Sequence, residues 1–202
     1  MLERLRGLMA RLLTPPARAL LGLGVSPDAV TWVGTAVVVL AALIMVPLGW
    51  LWPAALIIAT ASLSDMLDGQ MARLSGRTSR WGAFLDSTLD RIGDGAVFSA
   101  VVIWFAVADD HLGAALTLAA LVTGQVTSYV KARAESQGWT ITGGLAARAD
   151  RLFLLLLAML LQGLGVPYAL LIAVAVLTLA STVTIGQRMR QAHRQAAGGD
   201  AA

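Results

Sequence analysis

The sequence contains no cysteine and only two histidines, so several kinds of chemistry are excluded at once. Without cysteine there is no disulfide, no thiolate nucleophile and no thiolate-bound metal. The two histidines, His111 and His193, lie far apart in the sequence. Any catalysis or ion binding must therefore use carboxylates, arginines and hydroxyls, together with the metal ions that oxygen ligands prefer.

Charged residues are also scarce. Only 13% of the 202 residues are charged and 57% are hydrophobic, whereas soluble domains carry about 25% charged residues. A water-facing globule of this size would lack the charge to coat its surface. We therefore expect an all-α integral membrane protein without a sizeable soluble domain. The net charge of +3 could suit nucleic acid, but the arginines follow membrane topology, so no nucleic-acid partner is expected.

Apolar segments divided by short turns predict six transmembrane helices. In residues 1–24, leucines at helical spacing predict an interfacial amphipathic helix that Pro15 and Pro16 interrupt. A signal peptide is the alternative there, but arginines break the apolar run and no small-residue cleavage site follows. We expect a juxtamembrane helix over 1–24, a six-helix domain over 25–188 and a cytoplasmic tail over 189–202. The six predicted spans are residues 29–48, 51–72, 81–108, 112–132, 150–164 and 167–186.

The distribution of basic residues predicts the orientation. With six crossings both termini share one side of the membrane, and the fifteen lysine and arginine residues fall on that side or close to it. Because positive charge is enriched in cytoplasmic loops, both termini should be cytoplasmic.

Acidic residues stand where they are energetically unfavourable. Asp65 and Asp68 end the second apolar segment, and Asp86, Asp90 and Asp94 lie in the third. Spacings of three and four place each set on one helical face. If the two helices are neighbours, Asp65, Asp68, Asp86 and Asp90 converge near the cytoplasmic boundary.

Four ionised carboxylates so close together would repel one another unless cations neutralise them or some hold protons. An oxygen-only ligand set suits Mg²⁺, Mn²⁺ or Ca²⁺. The alternative is structural: the acids cap helices or pair with Arg73 and Arg91. A cost of about 2.5 to 3.5 kcal/mol per central aspartate argues against a purely structural cluster. For Asp94, a partner behind the site and a structural ion pair both stay open.

These residues carry a resemblance to a known family. The run Asp65-x2-Asp68-Gly69-x2-Ala72-Arg73-x8-Gly82-x3-Asp86-x3-Asp90 resembles the motif of the CDP-alcohol phosphatidyltransferases, membrane enzymes with six transmembrane helices. The resemblance implies transfer of a phosphatidyl group from CDP-diacylglycerol to an alcohol, with CMP leaving. It implies two Mg²⁺ ions, with Mn²⁺ as a substitute, held by Asp65, Asp68, Asp86 and Asp90. Asp90 would also take the proton of the acceptor hydroxyl, and a homodimer is implied.

The same resemblance assigns a binding site for the CDP moiety. It includes Gly69 and Arg73, with Ser79 contributing from the loop. Helix packing is the alternative for Gly69, and membrane anchoring is the alternative for Arg73. The start of the first span resembles the family segment whose backbone borders the nucleotide, although the family commonly has Asn at the position of Asp28, which could instead be an N-cap. That segment comprises Asp28, Ala29, Val30 and Thr31.

A basic cluster bears on the acceptor alcohol. Lys131 and Arg151 lie at helix ends adjoining the expected cavity, where cations would hold an anionic acceptor. With Ser128 and Arg188, this region resembles the actinobacterial phosphatidylinositol phosphate synthases, which implies an inositol phosphate acceptor and a bacterial cell membrane. Residues 147–151 depart from the more acidic, proline-containing version expected there.

Three alternatives stay open at this point. A phosphatidylglycerophosphate synthase using glycerol 3-phosphate would need similar cations. An intramembrane cation or proton transporter would also contain buried acids, although it would spread them through the membrane depth. A structural scaffold would tolerate alanine at the aspartates.

Overall fold

The computed structural model describes residues 2–76, 78–145 and 147–199, and within these ranges the chain is helical without any strand. The expected all-α class is therefore confirmed. The apolar face expected in residues 1–11 and the end of the expected tail, 198–202, lie outside the described side chains. The helices are α1 (Leu2–Gly22), α2 (Pro27–Met45), α3 (Leu51–Ser62), α4 (Ser64–Leu74), α5 (Arg80–Val107), α6 (His111–Glu135), α7 (Arg148–Gly163) and α8 (Ala169–Gly199).

The helices form a closed ring. Helix α2 packs against α3, α4 and α5, and the ring continues from α5 through α6, α8 and α7 back to α3, while α1 lies against α4. Apolar side chains such as Ile58, Val101, Leu155 and Met159 fill the interior and are fully buried. Many large apolar side chains also face outward, as expected for helices in contact with lipid.

Among the described residues, three helices are long and apolar enough, by length and composition, to cross a membrane: Pro27–Met45, His111–Glu135 and Ala169–Ala197. Helix α5 is 28 residues long but carries the three aspartates of the third predicted span. Helix α7 has 16 residues and would reach only about 24 Å at 1.5 Å per residue. These features indicate a membrane protein, and the six crossings stay a prediction.

The second predicted span is two helices, because the α-helical hydrogen-bond pattern is interrupted at Leu63. Its N–H donates to Thr60 O at 3.1 Å, and Met66 N–H donates to Leu63 O at 3.1 Å, both with a three-residue spacing. The Ser64 hydroxyl donates to Ala61 O at 2.6 Å. Hydroxyls that bond to the preceding turn often bend helices. The bend comes directly before Asp65 and so sets where the acidic end of this segment lies.

Helix α1 runs through Pro15 and Pro16 to Gly22, so the expected interruption at the two prolines is wrong. Two adjacent prolines remove two backbone donors and disfavour a helix interior. Packing on α4 offsets this penalty: Ala17 is fully buried, and Gln70 Nε2 donates to Thr14 Oγ1 at 3.1 Å.

Helix α8 continues well past its apolar part, so residues 189–199 of the expected tail are helical. Two glutamines of this extension hold the α6–α7 connection. Gln191 donates to Thr142 O at 3.0 Å and accepts from Thr142 N–H at 3.1 Å. Gln195 donates to Thr140 O at 2.7 Å and accepts from Thr140 N–H at 2.9 Å. Each side-chain amide thus forms two hydrogen bonds with the backbone of one residue in the connection, as the backbone of a neighbouring β-strand would.

Replacing both glutamines should loosen this connection. We expect Gln191→Ala with Gln195→Ala to lower stability by about 1–2 kcal/mol, because four partly exposed hydrogen bonds are lost. Thermal unfolding in detergent would measure the change. Gln137→Ala, on the exposed start of the same connection, is the matched control and should unfold like the unaltered protein. Equal melting temperatures for the double variant and the control would contradict the role of the glutamines.

Candidate active site

Three aspartates from two helices meet at one end of the ring. Asp65 and Asp68 lie on α4, Asp86 lies on α5, and each offers a carboxylate oxygen within 4.8 Å of the others. Helix α2 packs against both α4 and α5 and brings them together. The expected convergence is therefore found for these three acids, while Asp90 lies one turn further along α5 and is not in the group.

Helix α2 also contributes a hydroxyl to this group. Thr31 is buried, and its Oγ1 donates a hydrogen bond to Asp68 Oδ2. Asp68 is itself only 7% exposed, and this hydrogen bond holds one of its two carboxylate oxygens. Sequence reasoning placed Thr31 beside the nucleotide through its backbone and missed this side-chain contact.

The three carboxylates fit a hard divalent cation. Their donor atoms are all oxygens, as Mg²⁺ and Mn²⁺ prefer. In the part of the chain that the structure describes, no arginine or lysine lies within ion-pair distance of Asp68 or Asp86. Partly buried carboxylates this close need a compensating positive charge. A metal ion would supply it.

Arg148 belongs to the basic cluster seen in the sequence, but its contacts with the acids were not predicted. It begins α7, and its Nη1 lies 2.7 Å from Asp90 Oδ1 and 3.2 Å from Asp65 Oδ2. Its Nε lies 3.3 Å from Asp94 Oδ1. Its spacing of three from Arg151 at a helix start was the available signal, because that spacing puts both side chains on one face.

A second group of contacts joins the acids to α6. Arg91 Nη1 donates to Ser128 Oγ, and Arg151 Nη2 lies 3.5 Å from the same oxygen. Both arginines also pair with Asp94, at 3.4 and 3.9 Å. The expected pairing of acids with Arg91 is therefore found for Asp90 and Asp94. Pairing with Arg73 is not found among the described residues, where its guanidinium donates to Gln70 Oε1.

The other residues predicted to bind the acceptor phosphate differ in how far they are buried. Arg188 is 8% exposed and donates to Thr127 O at 2.7 Å and Gly143 O at 3.3 Å. Its Nε is buried and lacks a hydrogen-bond partner among the described residues. Lys131 has a side chain 47% exposed and pairs with Glu135 at 3.7 Å. The structure thus buries Arg151 and Arg188 and leaves Lys131 at the surface.

A cavity of about 260 Å³ opens beside the three acids. Five of the seven residues expected to contact CDP line it, whereas Ala29 and Val30 line a separate apolar groove of about 790 Å³ on the other side of α2. Those lining the cavity are Asp28, Thr31, Gly69, Arg73 and Ser79.

Two details of this cavity bear on the packing alternative for Gly69 and on the capping alternative for Asp28. A methyl group added at Gly69 would meet no atom within 4 Å, so this glycine leaves open space and does not serve close helix packing. The N-cap of α2 is Ser26, whose Oγ accepts from Ala29 N–H at 3.2 Å. Asp28 lies in the first turn and is not the cap.

Comparison with known proteins identifies the family. The family model for CDP-alcohol phosphatidyltransferase matches residues 24–186. The chain belongs to this family. As a CDP-alcohol phosphatidyltransferase it is a phosphotransferase of phospholipid synthesis. The chain is 48% identical to a phosphatidylinositol phosphate synthase of Cutibacterium acnes, over 94% of this chain and 96% of the relative. It is 44% identical to one of Streptomyces avermitilis, over 98% and 84%.

Solved structures of a phosphatidylinositol phosphate synthase have a fold similar to that of this chain. A phosphatidylinositol phosphate synthase of Mycobacterium tuberculosis with CDP-DAG bound has a TM-score of 0.86 and 41% identity, covering 90% of this chain and 94% of that one. Its complex with manganese and citrate has a TM-score of 0.86 and 42% identity, covering 89% and 88%. The manganese complex and the acidic cluster together indicate that the enzyme uses a divalent metal.

Binding of a divalent ion should stabilise the folded transferase. At an ion concentration of 100 times the dissociation constant, the gain is about 2.7 kcal/mol per site, measurable as a higher melting temperature with Mg²⁺ or Mn²⁺ than with a chelator. Asp68→Asn should remove most of this gain. Asp110→Asn, at the N-cap of α6, should retain it. An Asp68→Asn protein that still responds fully to the ions would contradict the assignment.

Proposed function

We propose that this transferase moves the phosphatidyl group of CDP-diacylglycerol to 1D-myo-inositol 3-phosphate, giving phosphatidylinositol phosphate and CMP. The observation that carries the proposal is the pair of buried guanidinium groups, Arg151 and Arg188, beside the Ser128 end of α6. Arg151 Nη2 lies 3.5 Å from Ser128 Oγ, Arg188 Nη1 donates to the adjacent Thr127 O, and two buried arginines so placed suit a phosphate-bearing acceptor. The relatives that are named phosphatidylinositol phosphate synthases give independent support.

In this proposal Ser128, Lys131, Arg151 and Arg188 bind the acceptor phosphate. The two buried arginines form the inner part of the pocket, and Lys131 forms its exposed rim. The hydrogen bonds that Arg188 donates to Thr127 O and Gly143 O fix its guanidinium in place while its Nε faces no protein acceptor among the described residues.

The CDP-lipid lies in and beside the cavity that Gly69, Arg73 and Ser79 line. Asp28 and Thr31 border the nucleotide from the start of α2. The neighbouring groove, which Ala29 and Val30 help to line, has almost purely apolar walls and suits an acyl chain. Residues of α2 line both the polar cavity and the apolar groove, an arrangement that suits an amphipathic lipid substrate.

Asp65, Asp68 and Asp86 hold two divalent ions, Mg²⁺ or in its place Mn²⁺, with Asp90 as a further ligand. When bound, the ions neutralise the pyrophosphate oxygens and ease the departure of CMP. Asp90 takes the proton from the acceptor hydroxyl. The hydroxyl oxygen then attacks the phosphorus bonded to the lipid, and the bond from that phosphorus to CMP breaks. Arg148 Nη1, at 2.7 Å from Asp90 Oδ1, orients the Asp90 carboxylate for this step.

The proposal includes a topology and an assembly. Six crossings formed by α2, the α3–α4 segment, α5, α6, α7 and α8 leave both termini and the active site on the cytoplasmic face of a bacterial cell membrane. The interfacial helix α1 lies along this face. The concentration of basic residues at that end supports the orientation. A homodimer is also proposed, on the family resemblance.

The positions of the acids in the described part of the chain favour an enzyme over an ion transporter. A transporter would distribute acids through the membrane depth, whereas the described cluster gathers at one end of α4 and α5. Glycerol 3-phosphate is the nearest alternative acceptor, because the same buried cations would attract its phosphate.

An acceptor comparison tests the function. Purified protein in Mg²⁺ with CDP-diacylglycerol should release CMP fastest with inositol 3-phosphate, more slowly with glycerol 3-phosphate, and at background rate with free inositol or serine. Asp90→Asn should bind the CDP-lipid but lack turnover, because it has no base for the hydroxyl proton. Preference for free inositol or serine would refute the phosphate pocket, and turnover by Asp90→Asn would remove its role as base.

The open space at Gly69 gives a separate prediction about the nucleotide site. Gly69→Ala should retain or raise stability, by up to about 1 kcal/mol because alanine favours helix, yet raise the KM for CDP-lipid because its methyl group enters the cavity. Gly95→Ala is the matched control: Gly95 is also helical with open space around it, but lies outside the cavity lining. An unchanged KM in Gly69→Ala would contradict the placement of the nucleotide.

A further inference from the structure

Asp94 is the most deeply buried acid of the site and lies beyond the eight matched positions of the family motif. It stands one helical turn after Asp90 on α5 and is 6% exposed. Its carboxylate pairs with three guanidinium groups: Arg91 Nη1 at 3.4 Å, Arg148 Nε at 3.3 Å and Arg151 Nη2 at 3.9 Å. A buried carboxylate is tolerated only with such compensation.

Each arginine that Asp94 contacts also touches a residue with a proposed role in the reaction. Arg148 reaches Asp90, the proposed base, at 2.7 Å. Arg91 and Arg151 both reach the Ser128 hydroxyl in the proposed acceptor pocket. Asp94 therefore contacts both the arginine that pairs with the proposed base and the two arginines that contact the proposed acceptor pocket.

The contact between Asp94 and Arg148 also restricts the orientation of the Arg148 guanidinium group. A guanidinium group is planar and rigid, so holding one nitrogen restricts where the others lie. Asp94 holds Nε, while Nη1 lies between Asp90 and Asp65. Without the carboxylate at Nε, the group could rotate and its Nη1 would no longer have one fixed position against Asp90.

The charges in this network also balance. Asp65, Asp90 and Asp94 are joined to Arg91, Arg148 and Arg151 by ion pairs. Among the ion pairs of the described residues, three carboxylates thus face three guanidinium groups. Neutralising Asp94 would leave three cations with two anions and would drive the arginines apart by like-charge repulsion.

We propose that Asp94 is a positioning residue that holds Arg148 against Asp90 and Arg151 against Ser128, and thereby aligns the acceptor with its base. This inference rests on the proposed function, because it takes Asp90 as the base and Ser128 with Arg151 as part of the acceptor pocket. It predicts an effect specific to the acceptor, which a purely structural ion pair would not produce.

The test is steady-state kinetics of Asp94→Asn with each substrate varied in turn. Asparagine keeps the size of the side chain and removes its charge. The KM for inositol 3-phosphate should rise and kcat should fall, together lowering kcat/KM by about tenfold or more, the effect of losing charged hydrogen bonds. The KM for CDP-diacylglycerol should change by less than about twofold, because Asp94 does not line the nucleotide cavity. Asp94→Glu restores the charge and should recover part of the loss.

Asp110→Asn is the control, since it removes one acid at the N-cap of α6, outside this network, and should leave both KM values unchanged. If Asp94→Asn lowers the melting temperature but keeps wild-type kcat and acceptor KM, Asp94 is merely structural and the inference is overturned. An equal rise in KM for both substrates also overturns it.

Should Asp94→Asn fail to fold, Arg148→Lys tests the same link. Lysine keeps the charge but has one nitrogen, so it cannot contact Asp94 and Asp90 through two separate nitrogens as arginine does. Lower kcat and higher acceptor KM are expected, and wild-type kinetics would overturn the inference.

The unaltered enzyme in the same assay tests the proposed function. If it prefers free inositol, both proposals fail. If it prefers inositol 3-phosphate but the variants have unchanged kinetics, only the role of Asp94 is refuted.

Discussion

The balance of charge among partly buried carboxylates is the constraint on which the site depends. An apolar ring of helices can hold several acids at one end only where positive charge meets them. Three guanidinium groups meet Asp65, Asp90 and Asp94, while Asp68 and Asp86 face a cavity without an ion-paired arginine among the described residues. The protein therefore supplies its own cations on the side towards α6 and α7, whereas on the side towards the cavity the proposed divalent ions would supply them.

Helix α2 turns this electrostatic arrangement into a defined geometry. It contacts α3, α4 and α5, and Thr31 holds Asp68 by a hydrogen bond. A methyl group at Gly34 would overlap the Ser64 hydroxyl, so the absence of a side chain lets α2 pass close to the bend that precedes Asp65. The bend and the glycine together bring the acids of α4 towards those of α5.

Sequence reasoning predicted the parts of this arrangement that depend on helical periodicity. Spacings of three and four fix which side chains share a face of one helix. That the acids of the two helices meet depended on the further assumption that the helices are neighbours, and the metal-sized group found comprises Asp65, Asp68 and Asp86 without Asp90. Contacts between distant segments could not be predicted: Arg148 reaches acids that lie more than fifty residues earlier in the chain, and its own segment departs from the expected pattern. The continuous helix through Pro15 and Pro16 likewise reflects packing on α4, which overrides the local preference of proline.

The glutamine contacts of α8 link parts of the enzyme that look separate in the sequence. Residues 140–142 pair with the last turns of α8, and the same connection leads directly into Arg148 and Arg151. The last turns of α8 thus hold the chain that leads into the proposed acceptor pocket. If this connection were replaced by the connection of a relative, the end of α8 from the same relative would have to be introduced with it. We therefore expect the two segments to vary together among relatives.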